Sequence, residues 1–222
     1  MVRVAVLLLV SGLLLAACGG DDGSSEESEA ASTPAVASAC EAAEAPEPHG
    51  EGDLPKPKQR LSRGKTYVAR VATNCGDFEI TLDPEQAPRT GGSFKALADD
   101  GFYDGLTFHR VVAGFVIQGG DPKGDGTGGP GYSVVEAPPQ GLSYTKGVVA
   151  MAKTAAEADG TSGSQFFVVT AEDAQLPPQY ALLGEVTRGQ DVVDKIGVVE
   201  TDPATDKPVE PVVISSIKVT AR

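Results

Sequence analysis

Arg110 and Gln118 lie in the run from Phe108 to Asp121, FHRVVAGFVIQGGD, and Gln165, Phe166 and Phe167 lie in the run from Gly163 to Thr170, GSQFFVVT. One guanidinium, two primary amides and several phenyl rings in glycine-bounded, strand-rich segments suit the grip of a short apolar peptide rather than the activation of water. A Ser-His or Cys-His hydrolase reading fails for want of a base and an orienting group. Neither Cys40 nor Cys75 has the CxxC or His spacing of redox or zinc chemistry, so no metal and no cofactor is expected. The stretch GDGTGGPG from Gly124 to Gly131 tempts a phosphate-cradle reading, but it lacks the Lys-Ser/Thr ending of a P-loop and opens no helix.

The elements that must position these side chains can be read from periodicity. Residues 66–73 and 77–82 alternate apolar and polar side chains around Asn74-Cys75-Gly76, which reads as a hairpin. Strand-like runs follow at 106–112, 115–118, 147–152, 165–170, 181–187 and 211–220. Short helices are expected over 88–100, with Pro88 in the first turn and Phe94, Leu97 and Ala98 on one face, and over 190–196, with Val192, Val193 and Ile196 facing inward. About eight strands and two helices fit an all-β dominated protein, an antiparallel barrel closed or nearly so, because closure hides sheet edges. The five glycines between Asp121 and Tyr132 read as a surface loop beside the strands that would form the site.

Composition bounds the rest. The 222 residues, with 27 glycines, 16 prolines and no tryptophan, suit one loop-rich core. The formal charge of −13 is concentrated between Gly19 and Pro55, which holds ten acids and no Lys or Arg. The remainder is nearly balanced and carries no basic cluster, so neither nucleic acid nor a polybasic membrane contact is expected. Arg3 followed by the apolar run Val4 to Leu15 is short for a membrane span and reads as an export signal over residues 1–17. The sequence Leu15-Ala16-Ala17-Cys18-Gly19 resembles a bacterial lipobox, which implies acylation at Cys18 and an extracytoplasmic protein anchored to the bacterial cell membrane; an ordinary cleavage site is the alternative. Residues 18–64, poor in large apolar groups, read as a disordered acidic, Pro-rich tether, leaving the folded domain at 65–222. In an oxidising compartment the two remaining thiols, Cys40 and Cys75, suggest a disulfide, with two free thiols as the other reading.

The blocks FHRVVAGFVIQGGD, GTGGPGY from Gly126, GVVAMAK from Gly147, GSQFFVVT and LPPQYALLGEV from Leu176 occur in order over residues 66–221. In this they resemble the cyclophilin-type peptidyl-prolyl cis-trans isomerases. The resemblance implies an eight-stranded barrel capped by two helices, with a groove on its outer surface for a prolyl peptide. It assigns Arg110, Phe115, Gln118 and Phe167 to catalysis, and Val116, Gly126, Ala152, Lys153, Gln165, Leu176 and Tyr180 to substrate binding. Gln118 is expected to hold both the arginine and a substrate carbonyl. Phe108 and Phe166 are assigned inward and Phe167 to the groove. His109 reads as a hydrogen-bonded structural residue, because rotation about an imide transfers no obligatory proton.

The chain departs from the family where many members carry a tryptophan and a groove histidine: it has Gln175 and Tyr180. The loss of the indole implies weak inhibition by cyclosporin. The function implied is isomerisation of X-Pro bonds in exported polypeptides, assisting their folding, by a protein monomeric by default. Its partners would be proline-containing peptides or unfolded exported chains. A non-catalytic proline-peptide scaffold on the same fold is the alternative, in which Arg110 is a salt-bridged strand residue.

Overall fold

The computed structural model describes residues 40–222 except 45, 49 and 51, so the apolar leader, Cys18, the first part of the acidic stretch and His49 lie outside the described residues. Strands β1 (Tyr67–Thr73) and β2 (Gly76–Leu82) form the expected hairpin around a two-residue turn, Asn74-Cys75. Tyr67, Ala69 and Val71 point inward from β1, and Phe78, Ile80 and Leu82 from β2, as strict alternation dictates.

Helix α1 (Pro88–Asp99) follows, with proline in its first turn. Its free N-terminal amides are capped from a distance: Arg89 N and Thr90 N both donate to the carboxylate of Glu136, which also complements the positive end of the helix. The short strands β3 (Arg110–Val112), β4 (Val116–Gly119) and β5 (Val134–Val135) come next, then β6 (Val148–Met151), β7 (Thr161–Ser162), β8 (Phe166–Val169) and β9 (Leu182–Arg188). Helix α2 (Gln190–Ile196) and β10 (Ile214–Ala221) complete the chain. The two-residue strands β5 and β7 pair only with each other, and the periodicity did not reveal them.

Eight strands form one antiparallel sheet in the order β10-β1-β2-β9-β6-β8-β4-β3. The expected closed barrel is corrected here: the sheet is an open half-barrel whose edge strands β3 and β10 share no ladder. Instead, the segment just before β3 meets the start of β10 and the residue two before it, with Phe108 N donating to Val212 O at 2.9 Å, Gly105 N to Ile214 O at 2.8 Å and Ile214 N to Leu106 O at 2.7 Å. Pro208 and Pro211 interrupt the approach to β10 and have no N–H to extend its ladder toward β3, which itself has only three residues.

The concave face of the sheet and both helices enclose the main core, where Phe94, Tyr103, Phe108 and Phe166 are fully buried and meet largely edge to face. Such pairs add about 0.5–1.5 kcal/mol each beyond their buried area. Phe108 and Phe166 therefore point inward as expected.

The expectation of a disordered tether up to residue 64 is also corrected. Cys40 and Cys75 are joined by a disulfide, and Glu41 N donates to Asn74 O at 2.8 Å. Farther on, Gly52 N donates to Gly129 O at 2.9 Å, Leu54 N to Pro130 O at 3.0 Å and Leu61 N to Pro88 O at 2.9 Å. Leu61 is buried in the main core and packs over Gly91, while the backbone of Gln59 and Arg60 runs over Gly92, where a Cβ would lie 2.4 Å from Gln59 O. Low apolar content hid this, because the strap is held by backbone hydrogen bonds, two leucines, Leu54 and Leu61, and a covalent bridge, while its prolines reduce the entropy lost on ordering.

Candidate active site

The side chains of interest are brought together by strand register. Arg110 on β3 is the Cα partner of Gln118 on β4, Gln118 of Phe167 on β8, and Phe167 of Ala150 on β6. Residues directly opposite one another in an antiparallel ladder project to the same face, so this row stands on the convex side of the sheet, away from the main core. Val116 and Val169 form the next row two residues along. A second apolar cluster builds up there from Val116, Tyr144, Ala150, Phe167 and Val169, with Phe115, Leu176 and Tyr180 packed against it.

A cavity of about 220 Å³ opens in this cluster, lined by Arg110, Phe115, Val116, Gln118, Ala152, Lys153, Phe167, Leu176 and Tyr180. Beside it lies a larger groove of about 650 Å³, which shares Gln118, Ala152 and Lys153 and includes Gly126 and Gln165. Every residue assigned from the sequence to catalysis or substrate binding thus lines one or both depressions. Gln175 lines neither; it is exposed, at φ 52.

The polar groups are held as follows. Gln118 Nε2 donates to Gln165 Oε1 at 2.9 Å, and Gln165 Nε2 donates to the carbonyls of Gly126 at 3.0 Å and Gly128 at 2.9 Å. Arg110 Nε donates to Asp206 Oδ2 at 3.1 Å. The expectation that Gln118 holds the arginine is therefore corrected: the glutamine is committed to Gln165, and the guanidinium is held by a carboxylate 96 residues away in sequence. Lys153 is folded back, its side chain only 5% exposed. Its Nζ donates to Thr154 O at 3.3 Å and Glu157 O at 3.2 Å, and sits 5.8 Å above the Tyr180 ring. Tyr180 in turn stands edge-on to Phe167, with ring centroids 5.4 Å apart.

Besides Asp206, two supporting residues escaped the sequence reading. Tyr144 is buried beneath the cavity; its hydroxyl donates to Tyr180 O at 2.6 Å and accepts from Tyr180 N at 2.9 Å, bracing the aromatic wall. Burial pushes that hydroxyl up to about 12, so it stays neutral. Asp121, also buried, shapes the glycine loop: Oδ1 accepts from Lys123 N, and Oδ2 from Asp125 N and Gly126 N. A Cβ on Gly128 would come within 2.1 Å of Asp121 Oδ1, so this closely wound loop demands glycine there. The nearest sequence signal was Asp121 at the loop's first position.

His109 is buried at 6% exposure, but neither ring nitrogen has a hydrogen-bond partner among the described residues. Among the described residues the hydrogen bond expected for it is not found, and burial lowers its pKa below 6.5 despite the opposing pull of Asp121.

Comparison with known proteins bears on this arrangement. The model of the family described as cyclophilin type peptidyl-prolyl cis-trans isomerase/CLD matches residues 68–219. Peptidyl-prolyl cis-trans isomerase B of Streptomyces anulatus is 42% identical over 172 residues, covering 69% of this chain and 97% of its own. Peptidyl-prolyl cis-trans isomerase B of Bacillus subtilis is 48% identical over 112 residues, covering 50% of this chain and 77% of its own. The crystal structure of a Cryptosporidium parvum cyclophilin type peptidyl-prolyl cis-trans isomerase superposes with a TM-score of 0.65 at 32% identity, covering 71% of this chain and 99% of that one. A second crystal structure of that protein, with a TM-score of 0.65, 31% identity and coverage of 70% and 99%, was obtained in the presence of the dipeptide Ala-Pro.

Proposed function

Because the chain belongs to the cyclophilin-type peptidyl-prolyl cis-trans isomerase family, we propose that the convex-face cavity binds a proline ring and that Arg110 drives rotation of the bond preceding it. The observation that carries this reading is the union, in one cavity of about 220 Å³, of a guanidinium with the apolar walls of Phe115, Phe167 and Leu176. The Ala-Pro dipeptide present with the Cryptosporidium relative fits the same substrate class.

The chemistry follows from amide resonance. Partial double-bond character gives an X-Pro bond a barrier of ~18–20 kcal/mol and isomerisation times of tens to hundreds of seconds. As the bond twists, the prolyl nitrogen regains a lone pair. Arg110 donates a hydrogen bond to that nitrogen, an interaction unavailable in the planar ground state and therefore selective for the transition state. A charged hydrogen bond contributes roughly 1.5–3 kcal/mol net, whereas millisecond turnover from a 100 s process requires about 10⁵-fold, or ~7 kcal/mol. The balance comes from excluding water around the bond and from clamping the proline ring while the preceding carbonyl swings. Phe115, Phe167 and Leu176 provide the clamp. Gln118 lines the adjoining groove with its Nε2 tied to Gln165, which leaves Oε1 as the acceptor for a peptide N–H.

Protease-coupled turnover of a prolyl tetrapeptide tests the reading. Wild type should accelerate isomerisation and Arg110→Ala should lose on the order of 10²-fold, as removal of one transition-state donor does elsewhere. A wild-type rate equal to the uncatalysed one would leave a peptide-binding scaffold instead.

We extend the proposal to an exported, membrane-anchored protein that acts on unfolded polypeptides outside the cytoplasm. The reading draws support from the leader over residues 1–17, the lipobox-like sequence before Cys18, and the Cys40–Cys75 disulfide, a bond favoured in oxidising compartments. Mass spectrometry of the mature protein should find an acylated N-terminal Cys18, and Cys18→Ser should release the protein from membranes. An unmodified Cys18 would refute the anchor.

A further inference from the structure

The guanidinium of Arg110 is gripped on one edge only. Nε donates to Asp206 Oδ2, while the two Nη groups have no hydrogen-bond partner among the described residues. A guanidinium is a rigid planar fork, so fixing Nε sets the direction in which the Nη donors point. Arg110 lines the cavity alongside Phe115 and Phe167.

Asp206 is itself held in place by a tight turn before β10. Asp202 Oδ1 accepts from Ala204 N at 2.8 Å and Thr205 N at 3.1 Å. Asp206 N donates to Asp202 O at 2.9 Å, and Asp202 N donates to Lys207 O at 2.8 Å. Asp206 lies at φ 59, in the left-handed region that Asp and Asn enter more readily than other side chains. Its carbonyl accepts from Val111 N at 2.8 Å, on the strand that carries Arg110. One residue therefore grips both the backbone of β3 and the side chain at its first position.

We propose that Asp206 is a positioning residue for isomerisation: it holds the arginine by Nε and thereby presents the Nη donors to the prolyl nitrogen. This inference rests on the isomerase reading above. A purely stabilising role is the competing explanation. It is weak, because the two side chains are 37% and 42% exposed and ion pairs at that exposure add little to stability. What the pair supplies is direction, since without the carboxylate a flexible arginine must find its catalytic orientation afresh in each encounter.

The test uses Asp206→Gly, which removes the carboxylate while tolerating the left-handed backbone, and Asp206→Asn, which returns an acceptor on a side chain equally at ease there. Turnover of a prolyl tetrapeptide, its affinity by calorimetry and the Arg110 Nε–H resonance are measured on the full chain. Asp206→Gly should lower kcat/KM about tenfold while changing peptide affinity by less than about twofold. Its Arg110 Nε–H should exchange faster with water. Asp206→Asn should recover most of the turnover, and the effect of Asp206→Gly should vanish on an Arg110→Ala background. Full turnover in Asp206→Gly would overturn the proposal, as would a loss explained by weaker peptide binding or one that persists without Arg110. In each of these cases an active wild type would leave the isomerase reading standing; a wild type without turnover would overturn both readings.

Discussion

At the scale of single residues, the site sets a guanidinium among partners that leave it only partly satisfied. Arg110 gives Nε to Asp206 and its Nη groups have no hydrogen-bond partner among the described residues, while Gln118 donates to Gln165 and Gln165 donates to the glycine loop. His109, next to the arginine, is neutral by burial, and this has a consequence for stability. Because burial depresses its folded-state pKa below 6.5, the unfolded chain takes up the proton first as pH falls. The contribution is complete above about pH 6.5 and is lost as pH drops toward the lower folded value. Thermal midpoints measured from pH 7.5 to 5 should fall with acidity, and His109→Gln should flatten that slope; an unchanged slope would assign the acid sensitivity to other groups.

At the scale of elements, what could be read in advance depended on how local the signal was. Alternation gave the β1–β2 hairpin and the inward Phe166 beside the outward Phe167, because a strand's two faces are written in adjacent residues. The helices at Pro88–Asp99 and Gln190–Ile196 were equally legible from proline placement and spacing. Strands β5 and β7, two residues each, are too short to show a period. Most of the groove residues came from resemblance to known blocks rather than from periodicity. Asp206 and Tyr144 belong to neither signal: each acts through a partner distant in sequence, and only the folded register brings them together. The sheet's failure to close was hidden too, because eight strand-like runs are compatible with a closed or an open barrel until the proline-interrupted approach to β10 is placed beside β3.

At the scale of the whole molecule, the strap over residues 52–61 and the Cys40–Cys75 bridge join the N-terminal extension to the domain. The bridge closes a loop with a sequence separation of 35. In the chain-entropy model a loop of that size contributes about 3–4 kcal/mol. Reduction, or paired Cys40→Ser and Cys75→Ser substitution, should lower the thermal midpoint by roughly 6–15 °C, while leaving the convex-face cavity intact. A midpoint unchanged by reduction would mean that the strap's hydrogen bonds suffice or that the bridge does not constrain the unfolded chain.

Everything functional in this account depends on Arg110 acting on the twisted imide rather than merely helping to hold the peptide. Exchange spectroscopy on a prolyl peptide mixed with the protein separates the two, because it reports binding and cis-trans interconversion in the same sample. Wild type should show peptide resonances that both shift and exchange on the millisecond scale, and Arg110→Ala should retain the shifts while exchange slows on the order of 10²-fold. Undiminished exchange in Arg110→Ala would contradict the mechanism outright.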